Sequence, residues 1–399
     1  MRGFELATAA RVVFGRSSLA DAGGAAAELG GRAFVVCGSE PARAAALVEL
    51  LLAAGLQVRT RPVRGEPSFG SIRQEVQEAR DFGADLVVGM GGGSVLDSAK
   101  AIAALLANPG DPLDYAEVIG AGRPLSRPSL PCIAVPTTAG TGSEVTRNAV
   151  LLSEEMDVKV SLRSPTMLPR LAIVDPLLCL DLPPAITGST GMDALTQLIE
   201  PFVSNRANPL TDALCRDGIA RAARALPRAF AEGGDIDARE DMSLAALFGG
   251  LALANARLGV VHGFAAPIGG ALHAPHGAIC AALLPAAVAV NVRALRARDG
   301  SNPALARYAE VAALLRGSGE GPGGGRATEL LQERRRPEDA ADILAELVSH
   351  LGISGLGSFG LGLRALPALV ERAKAASSTR GNPIELQDDE LTEILERSL

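Results

Sequence analysis

Between Val12 and Met90 the chain alternates short β-branched runs with Ala- and Leu-rich stretches of helical period, and few folds accept such an alternation. Strand–helix alternation builds a parallel sheet, covered by helices on both faces. Strands are expected at residues 32–37, 57–60 and 85–90, and helices at 41–54 and 71–82. Further strands are expected at 131–136 and 171–176. The run Ala33-Phe34-Val35-Val36-Cys37 is apolar throughout and reads as a buried strand.

The third of these strands ends in Gly91-Gly92-Gly93-Ser94, which opens an amphipathic helix over 94–106. Glycines at such a junction let the backbone approach a phosphate, while the helix N-terminus offers N–H donors and the positive end of its dipole. The spacing is not G-x-G-x-x-G, so the standard Rossmann fingerprint does not apply. A second triple, Gly323-Gly324-Gly325, falls in a Gly-rich stretch over 316–326 that reads as a loop. The strand at 131–136 runs into Thr137-Thr138-Ala139-Gly140-Thr141-Gly142-Ser143-Glu144-Val145-Thr146. That loop is rich in hydroxyls that can donate to phosphate or ribose oxygens.

The character changes at Asp181-Leu182-Pro183-Pro184. Beyond it, helices are expected over 191–203, 209–229, 238–256, 277–291, 303–315, 339–351, 366–376 and 389–399, with no strand of any length. The expected organisation is an α/β, Rossmann-like domain over 1–181 and an all-α domain over 182–399; 48% hydrophobic content supplies two cores. A net charge of −7 and a pI near 5.3 speak against nucleic acid or an anionic membrane as partner. Arg334-Arg335-Arg336 reads as solvated surface. The five cysteines are widely spaced and read as reduced core residues of a cytoplasmic protein. The N-terminus has no apolar signal-like core, and no apolar run reads as long enough to cross a membrane.

Three of the four histidines, His262, His273 and His276, fall within fifteen residues that contain no other ionisable group. Buried imidazoles need partners, so the cluster points to a polar site. His262 and His276 cannot share a ligand along one straight helix, because fourteen residues of helix span roughly 21 Å. The chain is expected to fold back between them, with Pro267, Gly269-Gly270 and Pro275 as breakers and His276 in the first turn of a new helix. Asp193 and Gln197, four apart on an apolar helix, share one face.

Together these motifs resemble those of the iron-containing (group III) alcohol dehydrogenases, whose fold is shared with dehydroquinate synthase and glycerol dehydrogenase. The resemblance covers essentially the whole chain. It rests on Gly91-Gly92-Gly93-Ser94-Val95-Leu96-Asp97-Ser98-Ala99-Lys100, on Pro136 through Glu144, on Gly191-Met192-Asp193-Ala194-Leu195-Thr196, and on His262-Gly263 with Pro275-His276-Gly277. It implies an NAD(P)-dependent oxidoreductase that passes hydride between the nicotinamide and an alcohol, aldehyde or keto substrate in a cleft between the domains. It also implies a homodimer or larger homo-oligomer. A maleylacetate reductase, or a lyase of the dehydroquinate synthase type, is the alternative on the same fold.

Carried over by position, the resemblance assigns Gly92, Gly93 and Ser94 to the pyrophosphate and Asp97 to the helix that follows. It lines the cofactor with Thr137, Thr138, Thr141 and Thr146 of the hydroxyl-rich loop, and directs Lys159 to the ribose or nicotinamide end. Asp193, His262 and His276 fill three of four positions for a divalent metal, Fe²⁺ or Zn²⁺, and Gln197 stands where the family has a further His. Ala266 replaces a His often given a proton-relay role; His273 and His262 are the candidate catalytic residues, and the alternative to a metal centre is a branch that works without metal, with His273, His262 or His276 as general acid. Gly38 stands where members that prefer NAD place an Asp, so NADP(H) is expected to be accepted beside NAD(H).

Overall fold

The computed structural model describes residues 3–156, 158–272, 274–317 and 336–399. His273, the triple Gly323-Gly324-Gly325 and Arg334-Arg335 lie outside the described residues. The chain divides into two compact units, Leu6–Asp181 and one built from Leu182–Leu399 with the segment before Leu6, so the first unit begins at Leu6 and not at residue 1.

In the first unit the elements run β1 (Val12–Phe14), α1 (Ala22–Ala27), β2 (Arg32–Cys37), α2 (Ala45–Ala53), β3 (Gln57–Pro62), α3 (Phe69–Phe82), β4 (Leu86–Gly91), α4 (Gly93–Ala107) and a short α5 (Pro112–Tyr115). They continue with β5 (Cys132–Pro136), β6 (Asn148–Ser153), β7 (Val158–Arg163) and β8 (Leu171–Val174). Six strands form one sheet in the order β1-β8-β5-β4-β2-β3, every pair parallel. Alternate residues of β2 enter opposite cores, as the period of two requires. Phe34 and Val36 pack with Ile72, Val87 and Ala99 on one face, and Ala33, Val35 and Cys37 with Leu47, Leu51 and Val88 on the other.

Local chemistry moves several boundaries from their expected places. Helix α3 begins at Phe69 rather than 71, because Ser68 and Ser71 cap each other reciprocally at 3.1 Å. It stops at Gly83, whose φ of +69° favours glycine. Helix α4 takes in Gly93, and β4 takes in Gly91, so the glycine triple is shared between strand and helix. β8 ends at Val174, where Asp175 caps a 3₁₀ turn over Pro176–Cys179. The antiparallel hairpin β6–β7 was not expected. Its period-two pattern is clean in β7, where Lys159, Ser161 and Arg163 alternate with Val158, Val160 and Leu162, but is blurred in β6 by the apolar run Ala149-Val150-Leu151-Leu152.

The second unit is helical among its described residues: α6 (Pro184–Val203), α7 (Pro209–Ala231), α8 (Ile236–Ala256), α9 (Val260–Leu272), α10 (His276–Arg298), α11 (Pro303–Leu315), α12 (Asp339–His350), α13 (Leu366–Ala375) and α14 (Asp388–Glu396). Helix α9 was not expected as an element, and Pro267 with Gly269-Gly270 does not break it. An interior proline costs about 3 kcal/mol, while burial contributes roughly 1.5–3 kcal/mol for each large apolar side chain. Val260, Val261, Phe264 and Ile268 are all buried, so packing prevails. The break comes after Leu272, and Pro275 then stands as N-cap before His276. Helix α10 is, against expectation, long and apolar enough to cross a membrane by length and composition, but 78% of its apolar window is buried within the protein. Its apolarity is that of a core helix, packed against α6, α9, α11, α12 and α14.

Candidate functional site

The parallel register aligns the C-terminal ends of β2, β4 and β5: Cys37 lies opposite Met90, and Gly91 opposite Pro136. The loops that begin at Gly38, Gly92 and Thr137 therefore open on one edge of the sheet. Strands on either side of β2 and β4 are reached in opposite chain directions, and that switch point is where open α/β sheets take their ligands. The N-terminus of α4 carries no side-chain cap. Val95 and Leu96 donate to the Gly92 carbonyl, which leaves the first N–H groups of the helix for a ligand. Thr138 and Thr141 stand directly against this start. A Cβ built on Gly92 would lie 3.4 Å from Thr138 Cγ2, and one on Gly93 only 2.7 Å from Thr141 Cγ2. At Gly38 nothing lies within 4 Å of such a Cβ. Glycines beside an uncapped helix end suit a dinucleotide pyrophosphate.

Other residues expected at this site are occupied within the protein. Asp97 accepts from Ser143 Oγ at 2.6 Å and from the Val150 N–H at 2.9 Å, and pairs with Lys100 Nζ at 3.1 Å. Lys100, fully buried, also donates to Thr146 Oγ1 and the Ser143 carbonyl, each at 3.0 Å. Asp97, Lys100 and Thr146 thus tie the threonine loop and the β6–β7 hairpin to α4. Thr137 uses its N–H on the Gly91 carbonyl at 3.0 Å. Lys159 pairs with Glu66 at 3.0 Å.

In the helical unit, α6, α9 and α10 bring together the side chains that the sequence singled out. A Cβ on Gly277 would stand 2.1 Å from the Ser189 carbonyl oxygen, so only glycine lets the start of α10 lie this close to α6. Asp193 Oδ1 is buried and has no hydrogen-bond partner. It faces His262 Nε2 at 3.5 Å and His276 Nε2 at 3.7 Å, longer than a good hydrogen bond. Gln197 Oε1 is buried without a partner as well. Cys280 adds its Sγ at 3.7 Å from His276 Nε2 and 4.0 Å from His262 Nε2. Among the described residues, the donor atoms of Asp193, His262, His276 and Cys280 all lie within 4.8 Å of one another.

Unpaired oxygen, two imidazole nitrogens and a thiol converging in a buried space fit a divalent ion. Burial acts against charge on each group, but the facing partners outweigh it. His276 and His262 hold the Asp193 carboxyl below its usual range. Cys280 and Asp193 raise His276 to about 9, and Cys280 with Glu200 raises His262 well above its ordinary value. The two imidazoles in turn lower the Cys280 thiol.

Two members of this cluster were not identified in the sequence. Glu200 binds His262 Nδ1 through Oε2 at 2.6 Å and accepts the Val261 N–H through Oε1 at 2.7 Å. Its signal was the i, i+4, i+7 spacing of Asp193, Gln197 and Glu200 on one helical face. Cys280 was read as a core residue; the signal was its position four after His276.

The comparisons with known proteins agree with one another. Residues 9–176 match the profile of the family described as iron-containing alcohol dehydrogenase, and residues 187–399 its C-terminal family profile. The chain is 33% identical over 396 residues to a sulfoacetaldehyde reductase of Bilophila wadsworthia, covering 98% of this chain and 97% of the relative. It is 35% identical over 337 residues to a 1,3-propanediol dehydrogenase of Citrobacter freundii, covering 84% and 81%. Among solved structures, a 1,3-propanediol oxidoreductase superposes with a TM-score of 0.88 at 32% identity, over 100% of both chains. A sulfoacetaldehyde reductase of Bifidobacterium kashiwanohense in complex with NAD⁺ superposes with a TM-score of 0.83 at 28% identity, over 100% of this chain and 99% of that one.

Proposed function

The chain belongs to the iron-containing alcohol dehydrogenase family, and from that premise we propose that it is an NAD(P)H-dependent reductase of small polar aldehydes. It is an oxidoreductase; hydride passes between the nicotinamide and the carbonyl or carbinol carbon of an aldehyde–alcohol pair. The observation that carries the reading is the buried, unpartnered Asp193 oxygen facing two imidazole nitrogens.

Asp193, His262 and His276 would hold a divalent ion, with Gln197 beside them. When bound, the ion supplies Lewis acidity toward the substrate oxygen. With an ion bound, Glu200 would keep the proton of His262 on Nδ1 and leave Nε2 as the donor atom. That arrangement supports His262 as ligand and leaves His273 as the proton donor to the product oxygen. On the sheet unit, the free N–H groups of Gly92, Gly93 and Ser94 would bind the pyrophosphate, with Thr137, Thr138 and Thr141 around it. Asp97 and Thr146 would act by anchoring that loop, and Lys159 by approaching the ribose once released from Glu66. The open space at Gly38 would receive either a 2′-hydroxyl or a 2′-phosphate.

The substrate class follows the relatives' names, sulfoacetaldehyde and 1,3-propanediol. Five free, buried cysteines support a reducing, cytoplasmic setting; a homodimer or larger homo-oligomer rests on the family alone. The test is oxidation of NADH or NADPH with sulfoacetaldehyde and other short aldehydes, and reduction of NAD⁺ or NADP⁺ with 1,3-propanediol. Absence of turnover with the whole panel, in protein supplied with Fe²⁺ or Zn²⁺, overturns the reading. Replacement of His273 with Ala should lower kcat by about 10²-fold.

A further inference from the structure

We propose that Cys280 is a ligand of the ion at Asp193, His262 and His276, which makes the centre an Asp-His-His-Cys set suited to zinc. The inference rests on the reading that this cluster binds a metal.

Position 197 carries an amide, that of Gln197, on the helical face of Asp193. A neutral amide oxygen is a weak ligand for Fe²⁺ or Zn²⁺, so three strong donors remain from α6, α9 and α10. The fourth comes from α10 itself. His276 and Cys280 are four residues apart on one helical face. A cysteine that merely filled core space would turn its sulfur toward carbon. Cys280 Sγ instead lies 3.7 Å from His276 Nε2 and 4.0 Å from His262 Nε2. Ligands at 2.0–2.3 Å from a common tetrahedral centre stand about 3.3–3.6 Å apart. Of the spacings observed, 3.5 Å from Asp193 Oδ1 to His262 lies within that range, 3.7 Å to His276 and 3.7 and 4.0 Å from the sulfur to the two rings lie 0.1–0.4 Å beyond it, and all four donor atoms stand within 4.8 Å of one another. A small inward movement of side chains closes the set.

Ligand chemistry argues the same way: thiolate favours zinc over ions that prefer oxygen and nitrogen.

The test uses the full chain loaded with Co²⁺ alone and, separately, with Zn²⁺ alone. The Co²⁺ protein should show a thiolate-to-metal charge-transfer band in the near ultraviolet, and zinc X-ray absorption should show one sulfur at about 2.3 Å. Cys280→Ser should lose the charge-transfer band and weaken Zn²⁺ binding at least tenfold in chelator competition. Gln197→Ala should keep the band. One equivalent of Co²⁺ bound with no thiolate band, and no sulfur around zinc, overturns the assignment of Cys280 and leaves the metal reading standing. No metal bound under any loading condition overturns both. The two wild-type spectra decide the matter even if the Cys280→Ser variant fails to fold.

Discussion

His262 donates through Nδ1 to Oε2 of Glu200 at 2.6 Å, with both side chains buried. The same carboxylate takes the backbone N–H of Val261, next to the histidine it orients. Carboxylate, imidazole and donor face form a line, and Gly259 leaves room for it, since a Cβ there would meet Glu200 Oε1 at 2.8 Å. Outer partners of this kind change metal affinity by 10–100-fold in general. Glu200→Gln should therefore weaken Zn²⁺ binding by about tenfold, measured by competition with a chelator. An unchanged affinity would mean that packing alone orients His262.

Asp97→Ala should act mainly on stability. It removes the counter-charge of Lys100, whose side chain is fully buried, and the acceptor of Ser143 and Val150. Breaking a buried pair on one side costs about 3–5 kcal/mol. The unfolding free energy from a urea titration should fall by roughly the lower end of that range. A loss under about 1 kcal/mol would reassign the carboxylate to the ligand rather than the loop.

Gly93→Ala should weaken dinucleotide binding at least tenfold, because its Cβ would meet Thr141 Cγ2 at 2.7 Å. Thr141→Ser removes that methyl group, so the double variant should recover part of the affinity. Fluorescence titration with NADH reads both. No recovery in a folded double variant would place the requirement at the ligand, where the backbone itself must come close.

Gly38→Asp should turn the enzyme toward NADH. The new side chain enters open space, with nothing within 4 Å of its Cβ, and puts a carboxylate where a 2′-phosphate would repel it. The NADH-to-NADPH ratio of kcat/KM should rise by about tenfold, or roughly 1.4 kcal/mol. An unaltered ratio would show that the adenosine ribose lies elsewhere.

Glu75, buried in the sheet unit, offers a pH dependence of its own. Burial raises its carboxyl to about 7, with Arg61 opposing and Glu78 adding to the rise, and its Oε2 has no hydrogen-bond partner. The folded state keeps a proton that the unfolded chain releases near 4.5, the ordinary value of the group. Stability therefore falls as pH rises from 4.5 through about 7, and is flat above that window for this group. Glu75→Gln should remove the fall and stabilise the protein at pH 8 by on the order of 1–3 kcal/mol. Equal urea midpoints for the two proteins at pH 8 would contradict this.

What the sequence determined by itself is whatever depends on local period and local chemistry. Strand–helix alternation up to Val174, the helical run beyond Leu182, and the Gly-rich junction at Gly91–Gly93 all write their geometry within a few residues, since φ/ψ preference and burial period are properties of neighbours. Asp193, His262 and His276 were legible as chemistry because ionisable groups in apolar runs are costly without a purpose. What only the tertiary structure decided is which distant atoms meet. Pro267 reads as a breaker in isolation, yet α9 passes through it because burial outweighs one lost hydrogen bond. Asp97 reads as a ligand residue, yet Lys100, Ser143 and the β6–β7 hairpin engage its carboxylate. Glu200 and Cys280 lie 62 and 18 residues from His262. Their contacts arise from the packing of α6, α9 and α10, and no local period encodes them.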